Sequence, residues 1–240
     1  RVAPKSEEIK YLLAEIFFET AQIAKAELRY RALLGSEEYK TIAFFGLGCC
    51  LFKTNSYLEA LGFFNRALSH ADAKNKPKIL NKKGLCLMEL NKIEEAQKCF
   101  EDCVKLVPTD VSAQLNLALT LGKLKKYKEA AVIYKKIVNT TPHNLIAINN
   151  LASCLAACHE YNDALTYCNE GLKIDPGNPD LLINKGYCLY KLGQYNNSLE
   201  CLNEAEKILK DDIILTNNKA LCLMALEKYD DALKLFDKLL

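Results

Sequence analysis

The chain has 240 residues, half of them hydrophobic, so it can bury a sizeable core and is not a disordered chain. Its 32 basic and 30 acidic side chains leave a formal net charge of +2 at pH 7, and bulk charge therefore gives no reason to expect binding to nucleic acid or to an anionic membrane. No apolar run approaches the roughly 18 to 20 residues that a membrane span needs, and the opening RVAPKSEEIK has neither the apolar core nor the cleavage site of a signal peptide.

The number of cysteines indicates the redox compartment of the protein. Their number, 11, is odd, whereas disulfide frameworks belong to small, loop-rich secreted domains with paired thiols. We therefore expect free thiols and a reducing intracellular compartment, the cytoplasm, with the nucleus as an alternative.

Similar sequence segments recur along the chain. NKKGLCLMEL begins at Asn81, NKGYCLYKLG at Asn184 and NKALCLMALE at Asn218. Comparison of the chain with itself gives a period of 34 residues, interrupted by a two-residue insertion at 75–76. We predict a single array over 1–240, with repeats 1 to 7 at 7–40, 41–74, 77–110, 111–144, 145–178, 179–212 and 213–240. Because repeat 7 stops inside its second predicted helix, we expect the chain to be part of a longer array.

Two positions of the repeat always hold a small residue. Position 8 holds Ala14, Gly48, Gly84, Ala118, Ala152, Gly186 and Ala220. Position 20 holds Ala26, Ala60, Ala96, Ala130, Ala164, Ser198 and Ala232. Small side chains let two helix backbones approach each other, so both positions predict close contacts between helices.

Each repeat is predicted to form two helices. Apolar residues recur at positions 4, 7, 8 and 11 and again at 20, 24 and 27, and these spacings place each set on one helix face. Repeat 1 follows this pattern least well, since it has Lys10 at position 4, and we expect it to be a divergent terminal repeat. Repeats 3, 4 and 5 end near the proline-containing segments 107–110, 141–144 and 175–179, where a helix stops.

These positions resemble the tetratricopeptide repeat, which has a small residue at position 8, Ala at 20, an aromatic residue at 24 and Pro at 32. The resemblance covers residues 7–240, although the Trp that is common at position 4 of the family is absent from this chain. It implies an all-α fold, a right-handed superhelical solenoid of antiparallel helix pairs. It also implies a noncatalytic scaffold that binds a protein or peptide partner in a concave groove lined by the first helices.

Asparagines recur at positions that the family exposes to this groove. They are Asn81, Asn149 and Asn217 at position 5, and Asn116, Asn150, Asn184 and Asn218 at position 6. Asn is a mediocre helix former, so helix propensity does not explain the pattern. Its amide matches the N–H and C=O of an extended peptide, and the column resembles the asparagine ladder of other cargo-binding repeats. The alternative is that these residues were copied with the repeat and only face water.

Lysines accompany the asparagine column. The candidate ligand-binding lysines are Lys78, Lys82, Lys185 and Lys219. They favour a carboxylate-bearing or phosphorylated ligand, or else they are solvated surface residues. Chaperone-binding members of the family hold two carboxylates in a lysine-containing clamp, but only Lys78 and Lys82 match its third part. Tyr11, Glu15 and Gly46 occupy other clamp positions and place the clamp in doubt.

No catalytic, metal or cofactor site is predicted. Cys99 with Cys103, and Cys154 with Cys158, have one-turn helical spacing, but a structural zinc site normally needs four clustered ligands. A catalytic thiol needs a base that a third group orients, and the three histidines fall at repeat ends or in a turn.

Other functions stay open from the sequence. Phe45, Cys49 and Phe52 make the groove of repeat 2 more apolar, so that end could dock a partner helix or a second copy of the chain, giving a homo-oligomer. Alternatively, the array is a substrate-recruiting arm of a larger enzyme. A third alternative is an architectural subunit that holds a multiprotein complex together through its edges.

Overall fold

The computed structural model describes residues 6–239, and the opening RVAPK and the last residue of repeat 7, Leu240, lie outside the described residues. The described residues form fourteen α-helices and contain no β-strand, which confirms the predicted all-α repeat fold. None of these helices combines the length and the hydrophobicity that crossing a membrane requires.

The helices follow one another in pairs. They are α1 (Ser6–Glu19), α2 (Ile23–Arg31), α3 (Lys40–Lys53), α4 (Tyr57–His70), α5 (Lys76–Glu89), α6 (Ile93–Leu106), α7 (Val111–Lys123), α8 (Tyr127–Thr140), α9 (Leu145–Ala157), α10 (Tyr161–Ile174), α11 (Pro179–Lys191), α12 (Tyr195–Glu206), α13 (Ile213–Ala225) and α14 (Tyr229–Asp237). Odd-numbered helices are the first helices of the repeats, and even-numbered helices are the second.

The chain divides into two compact units, 1–124 and 125–240. Unit 1 contains α1 to α7 and unit 2 contains α8 to α14. Within each unit every helix packs against the next one along the chain, and first helices of neighbouring repeats also touch, as α3 touches α5 and α9 touches α11. Because repeat 4 contributes α7 to one unit and α8 to the other, the single continuous array stays a prediction.

The small residues at positions 8 and 20 are all buried, as the sequence predicts. Where position 8 is glycine, a large side chain from position 24 takes the space. A Cβ atom added to Gly48 would lie 2.6 Å from Cε1 of Phe64, and one added to Gly84 would lie 2.6 Å from Cε1 of Phe100. These distances are below van der Waals contact, so the two helices of these repeats approach as closely as they do only because no side chain intervenes.

One residue in each turn between paired helices adopts a left-handed backbone conformation. It is always at position 15, with φ between 56° and 77°: Ala21, Asn55, Asn91, Lys125, His159, Gly193 and Glu227. Only one of the seven is glycine, and a left-handed conformation costs other residues roughly 1 to 2 kcal/mol. The helix packing on both sides of the turn therefore supports a strain that the sequence alone does not reveal.

The first helices of repeats 4 to 7 begin at a capping side chain. Oδ1 of Asp110 accepts hydrogen bonds from the backbone N–H groups two and three residues further on, at 2.9 and 3.2 Å. Asn144, Asn178 and Asp212 accept from the N–H three residues further on, at 3.0, 3.2 and 2.8 Å. These bonds satisfy donors that the start of a helix leaves unpaired, and so they fix where α7, α9, α11 and α13 begin.

The cysteines are part of the packed interior. All 11 are free thiols, and nine of them are buried. Those at position 10 are buried in every repeat where they occur: Cys50, Cys86, Cys154, Cys188 and Cys222. The thiol of Cys86 also donates to the carbonyl oxygen of Tyr57 at 2.8 Å, so this side chain joins a first helix to the second helix of the preceding repeat.

Candidate functional site

Four of the predicted asparagines form two hydrogen-bonded pairs between neighbouring first helices. In unit 1, Nδ2 of Asn116 on α7 donates to Oδ1 of Asn81 on α5 at 2.9 Å. In unit 2, Nδ2 of Asn184 on α11 donates to Oδ1 of Asn149 on α9 at 2.8 Å. All four side chains are half-buried. The sequence contains amide side chains at these positions, but it does not predict that amides of adjacent repeats bind each other.

Both pairs have the same polarity. The position 6 amide of the later repeat donates, and the position 5 amide of the earlier repeat accepts. An amide carries two N–H donors and an oxygen with two lone pairs, so one hydrogen bond does not exhaust either group. Each pair keeps the NH₂ group of position 5 as a donor and the oxygen of position 6 as an acceptor. Together they match the C=O and the N–H of a backbone segment.

The remaining three asparagines are not equivalent. Asn150 on α9 and Asn217 on α13 are half-buried. Asn218, also on α13, is only 7% exposed, so little of its amide is open to a ligand. Position 6 therefore does not present the uniform open column that the sequence pattern predicts.

The candidate lysines fall into two groups. Lys185 and Lys219 belong to unit 2, and Nζ of Lys219 lies 2.6 Å from Oε2 of Glu206, so its charge is balanced within that unit. Lys78 and Lys82 lie one turn apart on α5 in unit 1. Lys78 is exposed, with Nζ 4.9 Å from the centre of the Phe45 ring, and Lys82 is half-buried.

Beside Lys78 and Lys82, unit 1 contains a cleft of about 620 Å³. Its floor includes three partly buried aromatic rings, Phe18 from α1 and Phe45 and Phe52 from α3. The Phe45 ring packs 6.0 Å from that of Phe64, and the Phe52 ring lies edge-on at 5.3 Å from that of Tyr57. These contacts hold the rings in place, so the apolar floor is formed before any ligand arrives.

The rims of this cleft carry opposite charges. Glu15 and Glu19 line the α1 side, whereas Lys78 and Lys82 line the α5 side and Lys53 lies at the end of α3. Sequence reasoning identified the two α5 lysines and two of the floor residues. The sequence also indicated Cys49 as an apolar groove residue. It did not identify Phe18, Glu19 or Lys53, because only helix packing brings these side chains beside α5.

Tyr30 determines the shape of the cleft on the α1 side. Its ring lies against Gly46, where a Cβ atom would overlap it, and its hydroxyl donates to the Glu15 carboxylate. Burial, and then this hydrogen bond to Glu15, raise the pKa of Tyr30 well above its ordinary value. Gly46, which departs from the carboxylate-clamp pattern, therefore has a structural role in admitting the Tyr30 ring.

The nine buried thiols have raised pKa values, whereas activation of a catalytic thiol needs a lowered one. Burial raises the pKa of Cys86, Cys154 and Cys188 to about 11, so these thiols stay protonated near neutral pH. Nδ1 of the exposed His159 lies 2.7 Å from the Tyr161 hydroxyl rather than beside a thiol. Between residues 6 and 239, no three His, Cys, Asp or Glu side chains come together in a way that could hold a metal ion.

Family models match most of the chain in segments. Models of the tetratricopeptide repeat match residues 11–76, 77–110 and 111–144. A model described as anaphase-promoting complex, cyclosome, subunit 3, matches residues 157–239. A search among curated proteins found no match.

Solved structures, among them tetratricopeptide repeat proteins, resemble the chain along most of its length. A protein from Parabacteroides merdae has a TM-score of 0.77 at 17% identity, covering 98% of this chain and 92% of its own. YrrB, described as having an unusual peptide-binding site, has a TM-score of 0.68 at 21% identity, covering 82% of this chain and 97% of its own. PilF of Pseudomonas aeruginosa has a TM-score of 0.73 at 16% identity, covering 89% and 96%. At these identities the likeness concerns the fold alone.

Proposed function

Because the chain belongs to the tetratricopeptide repeat family, we propose that it is a noncatalytic scaffold whose first-helix asparagines hold an extended segment of a partner protein. Repeat proteins of this family bind protein or peptide partners, and YrrB is described as having a peptide-binding site. The proposal goes further, since it assigns the binding groups to particular amides.

The two asparagine pairs carry the proposal. They occupy the same repeat positions in separate units, they have the same polarity, and each has a donor and an acceptor left over. A chain of hydrogen bonds also polarises its members, so an amide that is already paired becomes a better partner for the ligand. The pairing fixes the side chains before binding, which lowers the entropy lost when a peptide is held.

The other candidates contribute unequally to the proposed site. Asn150 follows Asn149 directly, and Asn217 occupies position 5 of repeat 7; both are half-buried and available for a further contact. Lys185 follows Asn184 directly and would place positive charge near the second pair. Asn218 and Lys219 contribute less, since one is buried and the other is paired with an acidic side chain.

The polarity of the pairs gives a direct test. Asp at positions 81 and 149 keeps an oxygen that accepts from Asn116 and Asn184, but it removes the N–H groups that would bind ligand carbonyls. We therefore expect the double variant Asn81→Asp/Asn149→Asp to unfold like the unchanged protein. Peptides selected on the unchanged protein from a random phage-displayed library should bind the variant about fivefold more weakly, since a peptide held at either pair loses one hydrogen bond of about 1 kcal/mol.

The matched control is Asn162→Asp/Asn196→Asp, which introduces the same charge at exposed positions on the second helices α10 and α12. The control should bind the selected peptides as the unchanged protein does. The proposal fails if the two double variants bind these peptides equally well, or if the unchanged protein enriches no peptide.

The match of residues 157–239 to a model of a complex subunit favours a second candidate, an architectural subunit of a multiprotein assembly. Ile214, Tyr229 and Leu233 lie within this segment and are each more than half exposed, as contact residues for another subunit would be. We expect Ile214→Ser/Leu233→Ser to reduce the size of the native complex on gel filtration of a cell extract. Asn81→Asp/Asn149→Asp would leave that size unchanged, which separates this candidate from peptide binding.

A further inference from the structure

We propose that the cleft of unit 1 selects the ligand, taking an acidic peptide segment that carries one large apolar side chain. This inference rests on the proposed function, because Lys78, Asn81 and Lys82 lie on one stretch of α5. A peptide held at the Asn81–Asn116 pair would therefore place its neighbouring side chains in the cleft. The asparagines bind backbone and cannot discriminate between sequences, whereas the cleft has the chemistry to do so.

The cleft suits an apolar anchor. Its volume of about 620 Å³ lies within the range of roughly 300 to 1,000 Å³ that is usual for ligand sites, and Phe18, Phe45 and Phe52 contribute apolar surface to it. Because ring contacts already hold Phe45 and Phe52, binding need not order them. An aromatic or leucine side chain could contact these rings, while a smaller side chain would leave the floor in contact with water.

The charges favour an acidic flank. Among the described residues, Lys53, Lys78 and Lys82 form no ion pair, unlike Lys219, whose ammonium group is bound by a carboxylate. On the opposite rim the Glu15 carboxylate already accepts from Tyr30. This hydrogen bond leaves Glu15 its negative charge, so the cleft lining has three ammonium groups against two carboxylates, those of Glu15 and Glu19. The three lysines lie together on the α3 and α5 side, and electrostatic complementarity favours ligand carboxylates there.

The charges of the three lysines act on the Cys49 thiol, which lines the cleft. Burial raises its pKa to about 11 and Glu15 acts in the same direction, while the ammonium groups of Lys82, Lys78 and Lys53 lower it. Cys49 lines the cleft, so the positive field reaches the apolar floor and is not confined to the outer rim. A carboxylate beside the anchor side chain would lie in that field.

Synthetic peptides of defined sequence test both parts of the inference. The probes are fluorescein-labelled peptides with Phe, Leu or Ala at the centre and aspartates on both sides, together with the same set flanked by lysines. Fluorescence anisotropy at low salt would measure their affinities. We expect the aspartate-flanked Phe peptide to bind at least tenfold more tightly than its Ala counterpart, and at least tenfold more tightly than the lysine-flanked Phe peptide.

Charge reversal of the protein provides the matched variant. Lys78→Glu/Lys82→Glu should lose the preference for aspartate and bind the lysine-flanked Phe peptide instead. Lys74→Glu/Lys98→Glu makes the same change in net charge at exposed positions of unit 1 and should keep the original preference. Since all four lysines are at least partly exposed, circular dichroism should show that both variants fold.

The possible outcomes separate this inference from the proposed function. If Asn81→Asp/Asn149→Asp weakens binding but Lys78→Glu/Lys82→Glu changes neither affinity nor preference, the cleft proposal is wrong and the asparagine proposal stands. If neither variant changes binding, both proposals are wrong. Equal affinity for the Phe and Ala peptides would overturn the apolar anchor. A concentration-dependent dimer that the lysine variant abolishes, with no peptide bound, would assign the cleft to a second copy of the chain.

Discussion

Replacement of Gly84 by alanine tests whether close helix contact holds the repeats together. The new Cβ would lie 2.6 Å from Cε1 and 2.7 Å from Cζ of the buried Phe100 ring. The ring is fully buried and cannot turn away freely, so overpacking should cost about 3 kcal/mol, the upper end of the usual range. Alanine regains about 1 kcal/mol of helix propensity, which leaves a net loss of about 2 kcal/mol.

Gly62 provides the matched control for this prediction. It also lies within a helix, α4, but a Cβ there would meet no atom within 4 Å. Gly62→Ala should therefore raise the free energy of unfolding by about 0.5 to 1 kcal/mol. The two substitutions are chemically identical, so their opposite signs would isolate the effect of packing.

Urea unfolding followed by circular dichroism would measure both variants, with the midpoint compared at equal slope. The double variant Gly84→Ala/Phe100→Leu should lose less stability than the sum of its two single variants, because the smaller side chain makes room for the methyl group. Should Gly84→Ala prove as stable as Gly62→Ala, the argument that glycine at position 8 is required by the facing ring would be refuted.

Three further predictions concern the cap, the turn and the thiols. Asp110→Ala should lower the free energy of unfolding by about 1 kcal/mol, while Asp110→Asn keeps most of it, as measured by urea unfolding. Gly193→Ala should destabilise by roughly 1 kcal/mol in the same assay because φ is 77° there, and an equally stable variant would contradict the left-handed turn. Burial raises the folded-state pKa of Cys86 and Cys188 to about 11, so the unfolded chain releases these thiol protons at lower pH than the folded chain does. The free energy of unfolding should therefore fall between about pH 9 and pH 11. An unchanged urea midpoint over that range would contradict this prediction.

The candidate site could be predicted from the sequence only as a set of positions. The recurrence of amides predicts which residues share a helix face, and Asn81, Asn116, Asn149 and Asn184 are indeed half-buried on first helices. Their mutual hydrogen bonds depend on how far apart adjacent first helices lie, and no residue pattern specifies that distance. The ion pair of Lys219 with Glu206 could not be predicted either, since Glu206 lies on another helix and glutamate does not recur at its position in the other repeats.

The sequence by itself determined the repeat period, the pairing of helices within a repeat and the burial of the small residues. These features depend on short-range spacing, because positions three or four apart on a helix must share a face wherever that helix packs. Tertiary structure alone decided which polar groups remain available. It brought α1, α3 and α5 together around the cleft of unit 1, it buried Asn218, and it bonded the asparagines in pairs. The physical reason is that hydrogen bonds and charges act over a few ångströms between groups far apart in sequence, so their partners are chosen only when the helices pack.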